Sequence, residues 1–151
     1  MTNSEKQAYL MQYQAAERRI TRLLDEKTEW MEKATAISPT YSAVPRGKGN
    51  GNDRVQTAVS RIIDLEKELD KEIDRQVDLR LSIEGAVRKL DDDRFQDILR
   101  YRYIDGMTWE AIAAAMHFTY QWVCKLHGEA LKAVEIDKAD AANPADIPAP
   151  A

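Results

Sequence analysis

Gln121 and Lys125 stand one helical turn apart, and their types suit the edges of DNA bases. A glutamine amide pairs with adenine through two hydrogen bonds, and a lysine reaches guanine or a phosphate. Tyr120 beside them can touch a thymine methyl or a phosphate, and Cys124 and Gly128 complete the same face. Val123, Leu126, Ala130 and Leu131 recur at helical spacing on the other side. The stretch 119–134 therefore reads as a helix with an apolar back and a base-reading front, headed by Thr119. Arg100 and Arg102, upstream, add positive charge for phosphates.

The preceding residues must hold that helix in place. Thr108 is an N-cap candidate, because its hydroxyl accepts from a free amide of the first turn. Glu110 then lies near the positive end of the helix dipole. Ile112, Ala113 and Met116 make an apolar face, and the pattern breaks at His117-Phe118-Thr119. Small Ala113 allows a close crossing, and Phe118 can plug the corner. A third helix over 94–104 leads in, capped by Asp92 or Asp93 and carrying Phe95, Ile98, Leu99 and Tyr103. Asp105-Gly106 ends it, glycine supplying a left-handed conformation. This order is that of a helix-turn-helix, whose second helix can enter a DNA major groove.

The stretch 99–134 resembles region 4 of sigma-70-type factors. Leu99, Arg100, Arg102, Tyr103, Gly106, Thr108, Trp109, Glu110, Ile112 and Ala113 match its pattern L-R-x-R-Y-x-x-G-x-[ST]-[WYL]-E-x-I-A. The whole layout is similar to that of small bacteriophage proteins with a coiled-coil N-terminal half, including late transcriptional activators of the RinA and ArpU type. The resemblance implies a three-helix DNA-binding head in which Tyr120, Gln121 and Cys124 read promoter bases, with RNA polymerase as a further partner. Three positions depart from the pattern. Tyr120 and Cys124 stand where basic residues are common, and His117 holds a corner that is commonly glycine.

Ahead of the head, 4–36 and 54–90 each read as a long helix, of roughly 50 and 55 Å at 1.5 Å per residue. Leu10, Tyr13, Ile20, Leu23, Leu24, Trp30 and Met31 recur at threes and fours in the first, which Ser4 is placed to cap and Ser38-Pro39 to end. Val55, Val59, Ile62, Leu65, Leu69, Ile73, Val77, Leu81 and Ile83 mark one apolar side of the second. Gly85 breaks the pattern late, at a close contact or a bend. Equal lengths joined by a loop predict an antiparallel hairpin over 4–91. One hairpin buries one stripe per helix, so a homodimer is expected. The loop 38–53 is glycine-rich and locally basic, but it lacks the G-x-x-x-x-G-K-[ST] pattern of a phosphate cradle. Residues 137–151, rich in alanine and proline, predict a disordered tail.

The 151 residues include 32% charged side chains and a formal net charge of −4. That counts against a protein coating nucleic acid by charge alone. From Asp92 to Val134 the positives are Arg94, Arg100, Arg102, Lys125 and Lys132. The negatives are Asp92, Asp93, Asp97, Asp105, Glu110 and Glu129, so the head is near neutral. No membrane helix and no secretory signal are expected. The single cysteine fits a reducing cytosol.

Other chemistries fit less well. His117, Cys124 and His127 match no common metal-ligand spacing. Cys124 has no histidine–acid pair to activate it as a nucleophile. Trp30, Trp109 and Trp122 fall at spacings suited to packing. The expectation is therefore an all-α, non-enzymatic, cofactor-free cytoplasmic protein. Its parts are a hairpin over 4–91, a helix-turn-helix over 92–136 and a tail, and its role is a phage-type transcriptional regulator on double-stranded DNA. The alternatives are a DNA-packaging protein like a small terminase subunit, and an RNA polymerase-binding adaptor without DNA affinity of its own.

Overall fold

The computed structural model describes residues 1–37 and 50–137. The chain is all-α, with no strand among the described residues. Helix α1 spans Asn3–Ile37 and α2 spans Asn50–Arg88. Helix α3 (Asp93–Leu99) runs into a π-helical turn, Arg100–Ile104. Two short helices follow, α4 (Trp109–Met116) and α5 (Tyr120–Ala133). Helix α2 begins at Asn50, so the end of the expected 38–53 loop is helical. The rest of that loop and the tail beyond 137 lie outside the described residues. No helix among the described residues is long and apolar enough to cross a membrane.

Local chemistry fixes the ends. Thr2, not Ser4, caps α1: the Glu5 amide donates to Thr2 Oγ1 at 3.2 Å and the Thr2 amide to Glu5 Oε2 at 2.8 Å. This reciprocal pair satisfies two amides that the helix leaves free. Asp92 caps α3, accepting from the Arg94 amide at 2.9 Å. The expected α-helix over 94–104 changes its winding at Arg100, where the Asp105 amide reaches back five residues to the Arg100 carbonyl at 3.0 Å.

The chain forms two compact units, Met1–Glu17 with Arg75–Ala151, and Arg18–Asp74. In the second unit Arg19 pairs with Glu72 at 3.2 Å, Lys27 with Glu66 at 3.2 Å and Glu26 with Arg61 at 2.8 Å. From Arg19 to Glu26 and Lys27 the partners drop from Glu72 to Arg61 and Glu66, as in antiparallel helices. Ala58, Leu65 and Leu69 are buried there, whereas Val59, Ile63 and Ile73 are exposed. The single apolar side expected of α2 is therefore two.

In the first unit one core joins α1 (Tyr9, Leu10, Tyr13, Ala16), α2 (Leu79, Ile83, Val87, Leu90) and the helices after Asp92. The Tyr9 hydroxyl bonds Ser82 Oγ at 2.6 Å, and Arg80 donates to the Tyr13 hydroxyl at 3.3 Å. Lys6 Nζ donates to the carbonyls of Leu131 and Lys132 at the end of α5, at 2.9 and 3.2 Å. A cation there also opposes the negative end of the helix dipole.

Candidate nucleic-acid interface

The π-helical turn displaces carbonyls from their usual partners, and α1 supplies replacements. Gln14 Nε2 donates to the carbonyls of Tyr103 and Ile104 at 3.1 and 2.9 Å. Gly106 follows at φ +69°, and a Cβ there would stand 3.0 Å from Gln14 Oε1. The chain then extends to Thr108, whose hydroxyl accepts from the Ala111 amide at 3.2 Å and starts α4. Ile112 and Ala113 face inward.

The corner after α4 is made by His117 at φ 58°, ψ 38°. The His117 amide reaches the Ala114 carbonyl at 3.4 Å and the Phe118 amide reaches Ala113 at 3.0 Å. This is a Schellman closure with histidine in the position that glycine fills most easily. Thr119 then caps α5, accepting from the Trp122 amide at 3.1 Å.

Val123, Leu126, His127, Ala130 and Leu131 form the buried back of α5. Thr119, Tyr120, Gln121, Cys124 and Lys125 are all exposed, so five of the expected contact residues share its opening turns. Cys124 is a free thiol. Charge repulsion from Cys124, with a hydrogen bond between the two groups, raises the Tyr120 phenol above its ordinary 10.0. Trp122 is 37% exposed, with Lys125 Nζ 5.4 Å from its ring centroid. It lies beside the exposed face of α5 rather than in the core. The available signal was its position between outward Gln121 and inward Val123.

The two arginines differ. Arg100 is exposed on the π-helical turn. Arg102 is half-buried, donates to the Met107 carbonyl at 3.0 Å and stacks 4.4 Å from the centroid of Trp109. Its guanidinium holds the entry to α4 instead of standing free for a phosphate. Arg94 is engaged as well, by Asp92 at 2.9 Å. That hydrogen-bonded arginine draws the Asp92 carboxyl below its ordinary value.

Behind α5 lies a contact that spacing alone does not reveal. His127 Nε2 is 2.6 Å from the Tyr103 hydroxyl, both buried, and Trp109 meets the imidazole edge-on with centroids 4.5 Å apart. Burial, with Arg102 adding to it, pushes His127 down to about 4. Burial pushes Tyr103 up to about 12. At neutral pH both are uncharged, and the imidazole tautomer decides whether the phenol or Nε2–H donates. Among the described residues no cluster of three His, Cys, Asp or Glu side chains is placed to hold a metal ion.

Comparison with protein-family models, with curated proteins and with solved structures gives no match.

Proposed function

We propose that this chain is a DNA-binding transcriptional regulator of the phage type. Residues 92–136 act as a helix-turn-helix like sigma-70 region 4, and α5 is the recognition helix. The observation that carries the reading is the pairing of two threonine-capped helices, α4 and α5, around a left-handed corner at His117. It leaves Thr119, Tyr120, Gln121, Cys124 and Lys125 exposed on the opening turns of α5. Exposed groups at the start of a second helix are those that meet base edges in such domains. The antiparallel pairing of α1 with α2 supports a helical hairpin over 4–91 that joins two copies.

The near balance of charge in 92–134 makes a lone head a weak binder. A second head on the same duplex raises the effective concentration and restores affinity. RNA polymerase is the further partner in this reading. The test is a gel shift against a selected duplex, comparing the wild type with Gln121→Ala/Lys125→Ala. Site preference is expected to vanish while the helical signal stays; unchanged preference defeats the proposal.

A polymerase-binding adaptor is the second reading, favoured by the exposed aromatics Tyr120 and Trp122, at 49% and 37%. Capture of polymerase by a chain with no affinity for any duplex would select it. A ring of eight or more copies by light scattering would select DNA packaging instead.

A further inference from the structure

In the unit Arg18–Asp74 each long helix carries two heptad seams. The inner seam, including Ile20, Leu23 and Lys27 on α1 and Ala58, Leu65 and Leu69 on α2, is buried or half-buried. The outer seam on α1 runs Thr21, Leu24, Thr28, Met31, Thr35, in steps of three and four. On α2 it runs Val59, Ile63, Glu66, Asp70, Ile73. Leu24, Met31, Val59, Ile63 and Ile73 are 43–50% exposed. The Thr28 and Thr35 hydroxyls donate to the Leu24 and Met31 carbonyls at 3.0 and 2.8 Å, so their hydrogens are already used within the helix. Glu66, paired with Lys27 at 3.2 Å, and Asp70 interrupt the α2 seam, so the apolar contacts this face offers are those of Leu24, Met31, Val59, Ile63 and Ile73.

On both helices the outer seam stands about 100° round from the inner one, in the same sense along the chain. Because the helices run antiparallel, the same sense turns both outer seams to one side of the pair. The result is one continuous two-helix face. Each seam spans 15 residues, so at 1.5 Å per residue and about 10 Å between axes the face measures roughly 22 by 20 Å, about 450 Å². That is smaller than the roughly 600–1,000 Å² per partner of standard interfaces, so the pairing it supports is a weak one.

The charges beside this face name its occupant. Arg18, Asp25 and Glu32 flank it at seven-residue intervals on α1, and Ser60, Lys67 and Asp74 on α2. The pairs Arg19–Glu72 and Lys27–Glu66 fix which residues share a height. A second copy related by a two-fold axis parallel to the helices lays its α2 over α1. Arg18 then meets Asp74 of the second copy, and Asp25 meets its Lys67. A two-fold axis across the helices, centred on the same height, would instead bring Asp25 against itself.

Resting on the reading of two joined copies, we propose that this outer face of 18–74 is where the second copy docks, α1 over α2, forming an antiparallel four-helix assembly. The test is sedimentation equilibrium of the full chain. Wild type is expected to be dimeric, and Leu24→Glu/Ile63→Glu monomeric with unchanged helical content. Asp25→Lys should weaken dimerisation about tenfold, and adding Lys67→Asp should restore it. A monomeric wild type overturns both the two-copy reading and this surface. A dimer that survives Leu24→Glu/Ile63→Glu overturns the surface alone. Loss without rescue in the charge pair overturns the α1-over-α2 arrangement.

Discussion

The Tyr103 hydroxyl and His127 Nε2 lie 2.6 Å apart inside the core, joining residues 24 positions apart in the chain. The bond ties the π-helical turn to the buried face of α5. It helps to fix the helix that carries Gln121 and Lys125, in a buried site that requires a neutral imidazole.

That requirement makes stability depend on pH in a defined window. Burial holds His127 at about 4, below its ordinary 6.5, so between these values the unfolded chain binds a proton that the folded chain refuses. The contribution is complete above about pH 6.5 and is lost as pH falls toward 4, a difference of about 3 kcal/mol. Urea unfolding at pH 7.5 and 4.5 should show the loss, and His127→Gln should remove most of it. A His127→Gln chain with the same pH dependence would contradict the assignment.

Gln14 is expected to act as a clamp. Its amide donates to two carbonyls of the π-helical turn, and its oxygen lies where a Cβ at Gly106 would go. Gln14→Ala should cost about 1–2 kcal/mol, and Gln14→Glu more, because a carboxylate cannot donate to the carbonyls it faces. Gly106→Ala should destabilise less in the Gln14→Ala background than in the wild type. Strictly additive losses in thermal unfolding would show that the two residues are uncoupled.

The left-handed residue at the corner predicts a gain. His117 at φ 58° is strained by its Cβ, and glycine is not. His117→Gly should stabilise the protein by about 1 kcal/mol if the Schellman closure is otherwise kept. A lower melting temperature would mean that the imidazole makes a contribution larger than the strain.

These residues also show what the sequence could and could not reveal. The caps at Thr108 and Thr119 and the left-handed Gly106 were legible, because each depends on its own side chain and its immediate neighbours. The outward placement of Gln121 and Lys125 followed from helical period. The wider winding at Arg100 was not legible, because the Gln14 amide that satisfies it comes from the far end of the chain. Arg102 looked like a free cation for a different reason: its partners, the Met107 carbonyl and the Trp109 ring, are near in sequence, but the turn between brings them onto the guanidinium. On α2, the exposed apolar residues at 59, 73 and 77 merged with the buried ones at 65 and 69 into one stripe, since two seams about 100° apart look alike when residues are counted by threes and fours.

The salt dependence of DNA binding should reflect that difference. Arg94 is held by Asp92 and Arg102 by Met107, which leaves Arg100, Lys125 and Lys132 of the positives in 92–134. The slope of log K against log salt should be about −2.7 per head, rather than the −4.5 or so that all of them would give. Titrations between low and moderate salt measure it directly, and a slope near the steeper value would show that Arg94 and Arg102 leave their partners on binding.

Cys124 offers an internal probe of the same face. Its exposed thiol lies one residue from Lys125 and three from Gln121. Maleimide labelling should block duplex binding, and a bound duplex should slow the labelling. Equal labelling rates with and without DNA would place the contact elsewhere.

The most direct test is selection from a random duplex library by the full chain at low salt, repeated with Gln121→Ala/Lys125→Ala. The wild type should enrich one sequence, while the double variant, equally helical, should retain weak binding without enrichment. Enrichment of the same sequence by both, or of none by the wild type, would contradict α5 as a reader of DNA.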